Sequence, residues 1–143
     1  METNVEKREL QVGVKVLLKN KENKFLLVRR NPKKYPEIGP KWDIVGGRIN
    51  PGTPLLENLK REVTEETGLE ISSEPMLKGA QDILRVPGRH IVRLTYTANA
   101  DGTPKLDDES LEYKWFTFEE MNSMSETDLD MYVRELINLH RLP

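Results

Sequence analysis

The chain contains no cysteine, which excludes disulfides and thiolate metal sites and fits a reducing compartment. It also lacks any run approaching the roughly 18 consecutive apolar residues of a membrane span. The stretch Met1-Glu2-Thr3-Asn4-Val5-Glu6 has none of the apolar character of a signal peptide. A cytoplasmic protein with no membrane partner is the expectation. Nor is charge of one sign in surplus: 22 basic and 24 acidic residues leave a formal charge of −2. That balance gives no electrostatic footprint for a nucleic-acid duplex or a lipid surface, so a nucleotide partner is expected to be a small molecule. Internal repeats and low-complexity tracts are absent as well.

What is present fits one compact domain over residues 1–143, with 36% hydrophobic content to fill its core. Loose alternation over Glu9–Leu18 predicts a strand, the polar turn 19–23 follows, and Lys24–Arg30 predicts its hairpin partner. That strand ends in Arg29 and Arg30, of which alternation lets one point inward. Three prolines and a glycine make 31–41 a loop long enough to wall a site. Trp42–Val45 is a short strand running into Gly46-Gly47, with Trp42 expected in the core or in the wall of a site. Further on, Leu69–Ile71, Met76–Val86 and His90–Ala100 read as strands, Phe118–Met121 as a short helix and Thr127–Leu139 as an amphipathic one. Arg93 reads as a half-exposed strand charge and His90 as a surface residue. Strands, one helix, more strands and a terminal helix make an α/β layered domain.

The most informative stretch runs from Gly46 to Leu69. Thr53 is placed to cap a helix, Pro54 suits its first position, and Gly68 can take the left-handed conformation that ends it. On this helix, about 54–67, Leu55, Leu56, Leu59 and Val63 form an apolar face, whereas Glu62, Glu65 and Glu66 share one narrow sector through spacings of three and four. Like charges at those spacings repel by a few tenths of a kcal/mol per pair. A hard divalent cation would turn that repulsion into attraction. The alternative is a solvated acidic face with intrahelical pairs such as Arg61–Glu65.

The run Gly47, then Arg61-Glu62-Val63-Thr64-Glu65-Glu66-Thr67-Gly68-Leu69, resembles the signature of the Nudix hydrolases. That pattern is glycine, five residues, glutamate, seven residues, then Arg-Glu-aliphatic-x-Glu-Glu-x-Gly-aliphatic. One fixed position departs: Thr53 stands where the family has its first glutamate. The resemblance implies a Nudix-type α/β/α sandwich with a mixed sheet between helices. It implies metal-dependent hydrolysis of a diphosphate bond in a nucleoside diphosphate linked to another group, with Mg²⁺ or Mn²⁺ held by Glu62, Glu65, Glu66 and the Gly47 carbonyl.

It further implies an extra carboxylate from the loop ahead of Trp115, with Glu109 first and Glu112 second, as metal ligand or general base. Arg61 would orient the glutamates, and Arg29, Arg30 and Arg48 would meet substrate phosphate. A homodimer is compatible with the resemblance. Two other readings stay open at this point: a catalytically silent domain that binds a nucleotide or a protein, and an isomerase of a diphosphate substrate. The choice among nucleoside triphosphates, oxidised ones, nucleotide sugars and dinucleotide polyphosphates is not written in this pattern.

Overall fold

The computed structural model describes residues 7–34, 36 and 40–143. Part of the 31–41 loop and the segment Met1–Glu6 therefore lie outside the described residues. Ten elements follow one another: β1 (Glu9–Lys19), β2 (Phe25–Arg30), β3 (Trp42–Asp43), β4 (Val45–Arg48), α1 (Leu55–Thr67), β5 (Met76–Ile83), β6 (Arg89–Asn99), β7 (Ser110–Phe116), α2 (Phe118–Asn122) and α3 (Met131–Asn138). All seven strands form one sheet, in which β1 and β6 run parallel and the other pairings are antiparallel. Among the described residues no helix is long and apolar enough to cross a membrane.

Strand alternation distributes the core between two layers. Val14, Val16 and Leu18 of β1, with Leu26 and Val28 of β2, pack against Leu59 and Val63 of α1. The intervening Leu17 and Leu27 pack instead with Val133, Leu136 and Ile137 of α3. Helices thus cover both faces of a mixed sheet, the α/β sandwich that the sequence led us to expect. Burial on both faces also explains the consecutive apolar residues Val16, Leu17 and Leu18 that break the alternation of β1.

Several local expectations are corrected. Trp42–Val45 is not one strand, because the Ile44 N–H turns to Asp43 Oδ1 at 2.7 Å and the chain changes partner there. Trp42 and Asp43 pair with β2, whereas Val45–Arg48 pair with β1. The hairpin of β1 and β2 is joined at Lys19 and Phe25, after which β3 and β7 take the two edges of β2. Leu69–Ile71 is not a strand. Instead Leu69 packs into the core on the α1 side of the sheet. The final helix begins at Met131, later than expected, because Asp130 supplies the cap: its carboxylate accepts from the backbone N–H of Tyr132 and Val133, each at 3.0 Å.

Candidate active site

Helix α1 ends as expected, with Gly68 at φ 70° and its N–H donating to the Thr64 carbonyl. Its start is built differently. Thr53 makes no side-chain cap, and Pro54 occupies the capping position. Asn58, fully buried, does the organising: it accepts from Asn50 N–H at 2.9 Å and donates to the Thr53 and Pro54 carbonyls at 2.8 and 2.9 Å. The loop between Gly47 and the helix is thereby tied to the helix's own first turn.

Two glycines let that loop lie against the sheet and the helix. Gly46 has φ 142°, and a Cβ there would collide with the Val14 carbonyl and Lys15 Cα, so only glycine fits. A Cβ on Gly47 would lie 2.6 Å from Glu62 Oε2. The bare backbone at Gly47 is what allows the Glu62 carboxylate to rest on it.

The expected convergence of three box glutamates is not what the structure shows. Glu66 is buried, with Oε1 held by Arg30 Nη1 at 2.9 Å and Oε2 by the Gly46 N–H at 2.6 Å. Glu62 faces Gly47 and accepts from Arg61 Nη2 at 2.8 Å. Glu65 is 59% exposed and leans toward Arg61 Nε at 3.7 Å. Among the described residues, no three acidic or histidine side chains stand together at the spacing of a metal's ligands. The reason is the two arginines: Arg30 draws Glu66 toward the sheet, and Arg61 draws Glu62 along the helix.

Glu109, immediately before β7, meets Glu66. Burial, a hydrogen bond with Glu66 and the charge of Glu66 push its carboxyl up from 4.5 to about 7. Burial likewise raises the Glu62 carboxyl, and Glu66 and Glu65 add to the effect. Glu112 does not join them. It is the cross-strand neighbour of Arg29 and pairs with it at 2.8 Å, on the face of β2 opposite to Arg30. Arg29 also leaves the substrate side: its guanidinium stands 5.8 Å from the Trp42 ring. Trp42 itself meets Phe116 edge-on at 5.0 Å, in the layer under α3. Of the two arginines, Arg30 is the inward one. Arg48 lines the cleft, and its carbonyl accepts from Arg61.

A cleft of about 530 Å³ opens over this cluster. Gly46, Gly47, Arg48, Glu62 and Glu109 line it together with Lys15, the cross-strand neighbour of Gly46, and with Ile83, Val86, Arg89, Ile91 and Arg93. Lys15, Ile83, Val86, Arg89 and Ile91 were missed from sequence. Lys15 donates to Asp43 Oδ2 at 3.3 Å and to the Ile44 carbonyl at 3.2 Å, and burial, reinforced by Arg30, lowers its amine to about 8. Asp43 also takes Arg93 at 3.0 Å and Arg30 at 3.8 Å. Those cations hold its carboxylate well below the usual range against the opposing effect of burial. Arg93 is therefore not the half-exposed charge expected: it is buried and bridges Asp43 to Asp130, the latter at 3.1 Å. A signal for Lys15 did exist, since it is a lone charge between Val14 and Val16 in an apolar strand.

The donor atoms are of the kind a hard divalent cation takes, although among the described residues the three carboxylates do not stand at ligand spacing. Glu62, Glu66, Glu109 and the Gly47 carbonyl offer oxygen alone, the chemistry such ions prefer, and the unfilled space at the Gly47 Cα brings Glu62 against the backbone.

A glycine-turned loop, a carboxylate helix and a mixed sheet define a class of domain, and its family follows from comparison. Residues 9–137 match the NUDIX domain model; the chain belongs to the NUDIX domain family. Over 80 residues it is 32% identical to the human 8-oxo-dGDP phosphatase NUDT18, covering 52% of this chain and 23% of that protein. Over 69 residues it is 38% identical to the m7GpppN-mRNA hydrolase NUDT17 of Danio rerio, covering 47% of this chain and 22% of that protein. The chain thus matches less than a quarter of the length of either relative. The crystal structure of the MutT protein from Methanosarcina mazei Go1 superposes with a TM-score of 0.82 at 28% identity, covering 95% of both chains.

Proposed function

We propose that this chain is a single-domain, divalent-metal-dependent hydrolase of a diphosphate bond in a nucleoside diphosphate linked to another group. The products would be a nucleoside monophosphate or a second phosphorylated compound. The observation that carries this reading is that Glu62, Glu109 and Gly47 line a cleft shared with Lys15, Arg30, Arg48, Arg89 and Arg93, with Glu66 hydrogen-bonded to Glu109. The names of the relatives place oxidised nucleotides and capped RNA among the compounds to test. Mg²⁺ or Mn²⁺ is the expected ion.

Water must attack a phosphorus surrounded by anionic oxygens. A bound divalent ion would neutralise those oxygens and make the water more acidic. Glu62, Glu66, Glu109 and the Gly47 carbonyl would hold it. Arg30 and the Gly46 N–H fix both oxygens of Glu66, so that carboxylate meets its ligand already oriented. Arg61 steadies Glu62 and the loop carbonyl of Arg48 together. Glu109, raised to about 7, is suited to accept the proton of the attacking water, because a general base works best with a pKa near the operating pH. Arg30 and Arg48 face the cleft with charge complementary to the phosphates.

The test is hydrolysis of a panel of nucleoside triphosphates, oxidised guanine nucleotides, ADP-ribose, nucleotide sugars, dinucleotide polyphosphates and capped RNA, with Mg²⁺, with Mn²⁺ and with chelator. Metal-dependent turnover that drops at least about 100-fold in Glu62→Gln is expected. No turnover from folded, metal-binding protein would refute the hydrolase and favour a silent nucleotide-binding domain, a reading supported by Thr53 at the family's first glutamate position. A rearranged rather than cleaved product would favour the isomerase.

A further inference from the structure

Gly46 and Gly47 are glycines because a Cβ would strike the Val14 carbonyl or the Glu62 carboxylate. Gly13, in the interior of β1, has no such reason. Its φ is outside the left-handed region. A Cβ there would stand 3.7 Å from the Gly47 carbonyl oxygen and 4.0 Å from Ile91 Cγ2, both ordinary contacts, and chain neighbours aside no other atom of the described residues comes within 4 Å. Glycine inside a strand weakens it, and it usually marks a bulge, a tight bend or a close approach by a ligand or another backbone. Gly13 pairs in unbroken register with Arg48 of β4 and Arg93 of β6, which leaves neither bulge nor bend. No backbone beside it needs the space that a Cβ would take. What remains is the approach of a ligand.

Gly13 lines the cleft, and register fixes its surroundings. Its partner on β4, Arg48, is one residue past Gly47. Alternation puts Ile91, two residues before Arg93, on the same face of the sheet as Gly13, together with Ile83, the partner of Ile91 on β5. Both isoleucines line the cleft as well. The Arg93 guanidinium is turned to Asp43 and Asp130. Gly13, Ile91 and Ile83 therefore make a floor of bare backbone and aliphatic carbon that begins beside the Gly47 carbonyl. Such a floor suits the face of an aromatic ring. It does not suit a phosphate or a sugar, whose oxygens need polar partners when they leave water. Of the parts of a nucleotide, only the base has a face of this kind.

We propose that Gly13 is a specificity-determining residue, whose missing side chain lets the nucleobase of the substrate lie on the sheet against Ile91 and Ile83. This deepens the hydrolase reading and rests on it for the word substrate. The base then lies next to the Gly47 backbone, so the nucleoside half of the substrate occupies the floor of the cleft and the group beyond the diphosphate does not.

Ribose 5-phosphate has the sugar and phosphate of a nucleotide without its base, so it isolates what the base contributes. Its binding, and that of the four common nucleoside 5′-monophosphates and 8-oxo-GMP, is measured by calorimetry with chelator present, in wild type, Gly13→Ala and Gly13→Val. The wild type should take at least one of the nucleotides about tenfold more tightly than ribose 5-phosphate. Gly13→Ala should weaken that nucleotide about threefold and Gly13→Val about tenfold or more, the cost of misplaced methyl groups in a pocket. Ribose 5-phosphate should bind all three proteins alike. The melting temperature of Gly13→Ala should hold or rise by about 2–3 °C, because glycine is the weaker strand residue, and this variant decides the matter should Gly13→Val fold poorly.

Three results would each overturn the proposal: nucleotides bound by the wild type no more tightly than ribose 5-phosphate, variants that bind nucleotides as the wild type does, or a Gly13→Ala protein that melts more than about 3 °C lower. The last would show that the glycine serves the fold. With any panel compound that is turned over, Gly13→Val should raise KM and leave kcat within about twofold; a fall in kcat at unchanged KM would also overturn it. Binding without metal does not depend on turnover. A chain whose nucleotide binding is lost selectively in the Gly13 variants, and which hydrolyses nothing, refutes the hydrolase reading alone.

Discussion

Replacing Arg30 with methionine tests how the carboxylate helix is attached to the sheet. Arg30 is buried beside Glu66, at 2.9 Å, and Asp43, at 3.8 Å, and it donates to the Ile44 carbonyl at 3.2 Å. Methionine preserves the apolar stem and removes the charge. Asp43 keeps Lys15 and Arg93, but Glu66 is left with the Gly46 N–H and the hydrogen bond to Glu109. Removing one partner from a buried pair costs about 3–5 kcal/mol. For 143 residues the unfolding entropy is about 0.3 kcal/mol per degree. The melting temperature, read by circular dichroism with chelator present, should therefore fall by about 10 to 17 °C. Arg30→Met combined with Glu66→Gln should recover part of the loss, because no uncompensated carboxylate remains in the pair, giving a coupling of about 2 kcal/mol in the double-mutant cycle. A fall of less than about 3 °C, or strict additivity, would refute the claim that this pair anchors α1.

Two further outcomes follow from the same geometry. Thr53→Ala should change stability by about 0.5 kcal/mol or less, whereas Asn58→Ala should cost about 1–3 kcal/mol for its buried hydrogen bonds, as measured by urea unfolding; equal costs would return the helix start to Thr53. Glu109, raised from 4.5 to about 7 in the folded chain, favours the folded state while protonated, so its contribution is present below pH 4.5 and is lost as pH rises through 7. Glu109→Gln should accordingly gain on the wild type in metal-free stability above pH 7 and lose that advantage near pH 4; parallel pH curves would show that the carboxyl is not raised.

How far the sequence could be read depended on how local each cause was. Gly68 ends α1 through its own backbone freedom, and the α1 side of the core follows from alternation in β1 and spacing in α1, so these were legible. The helix start was not, because its organiser is Asn58 reaching back to residues 50–54 rather than Thr53 in the position a cap usually takes. Asp130 was lost in the same way: Thr127 offered an equally plausible beginning, and the geometry of the cap decided for Asp130. At the site, the glycine and glutamate spacing named Gly47, Glu62, Glu65 and Glu66, and the family resemblance added Glu109. It gave no warning that Arg30 and Arg61 would separate the glutamates, nor that Glu112 would pair with Arg29. Those are contacts across strands, and only the register of β2 against β7 fixes them. Asp43 and Arg93 lie fifty positions apart in the chain, so neither advertised the other.

That hidden pair explains why the sheet tolerates charge at its centre. Lys15, Arg30 and Arg93 are interleaved with Asp43, Glu66 and Asp130, so each buried cation adjoins at least one buried acid. An isolated buried charge would be far too costly; a run of alternating sign with backbone groups at its ends is not. Asp43 sits where the chain steps from β2 to β1, the point at which three strands can each send it a cation. Asp130 closes the far end by capping α3 with the carboxylate that meets Arg93. Proline, glycine and leucine patterns set the two helices on opposite faces of the sheet, but it is this run through the sheet that ties the orientation of Glu66 to the seating of α3. An α3 variant that disturbs Asp130 should therefore alter how the distant carboxylate is presented, although Asp130 is not among the residues that line the cleft.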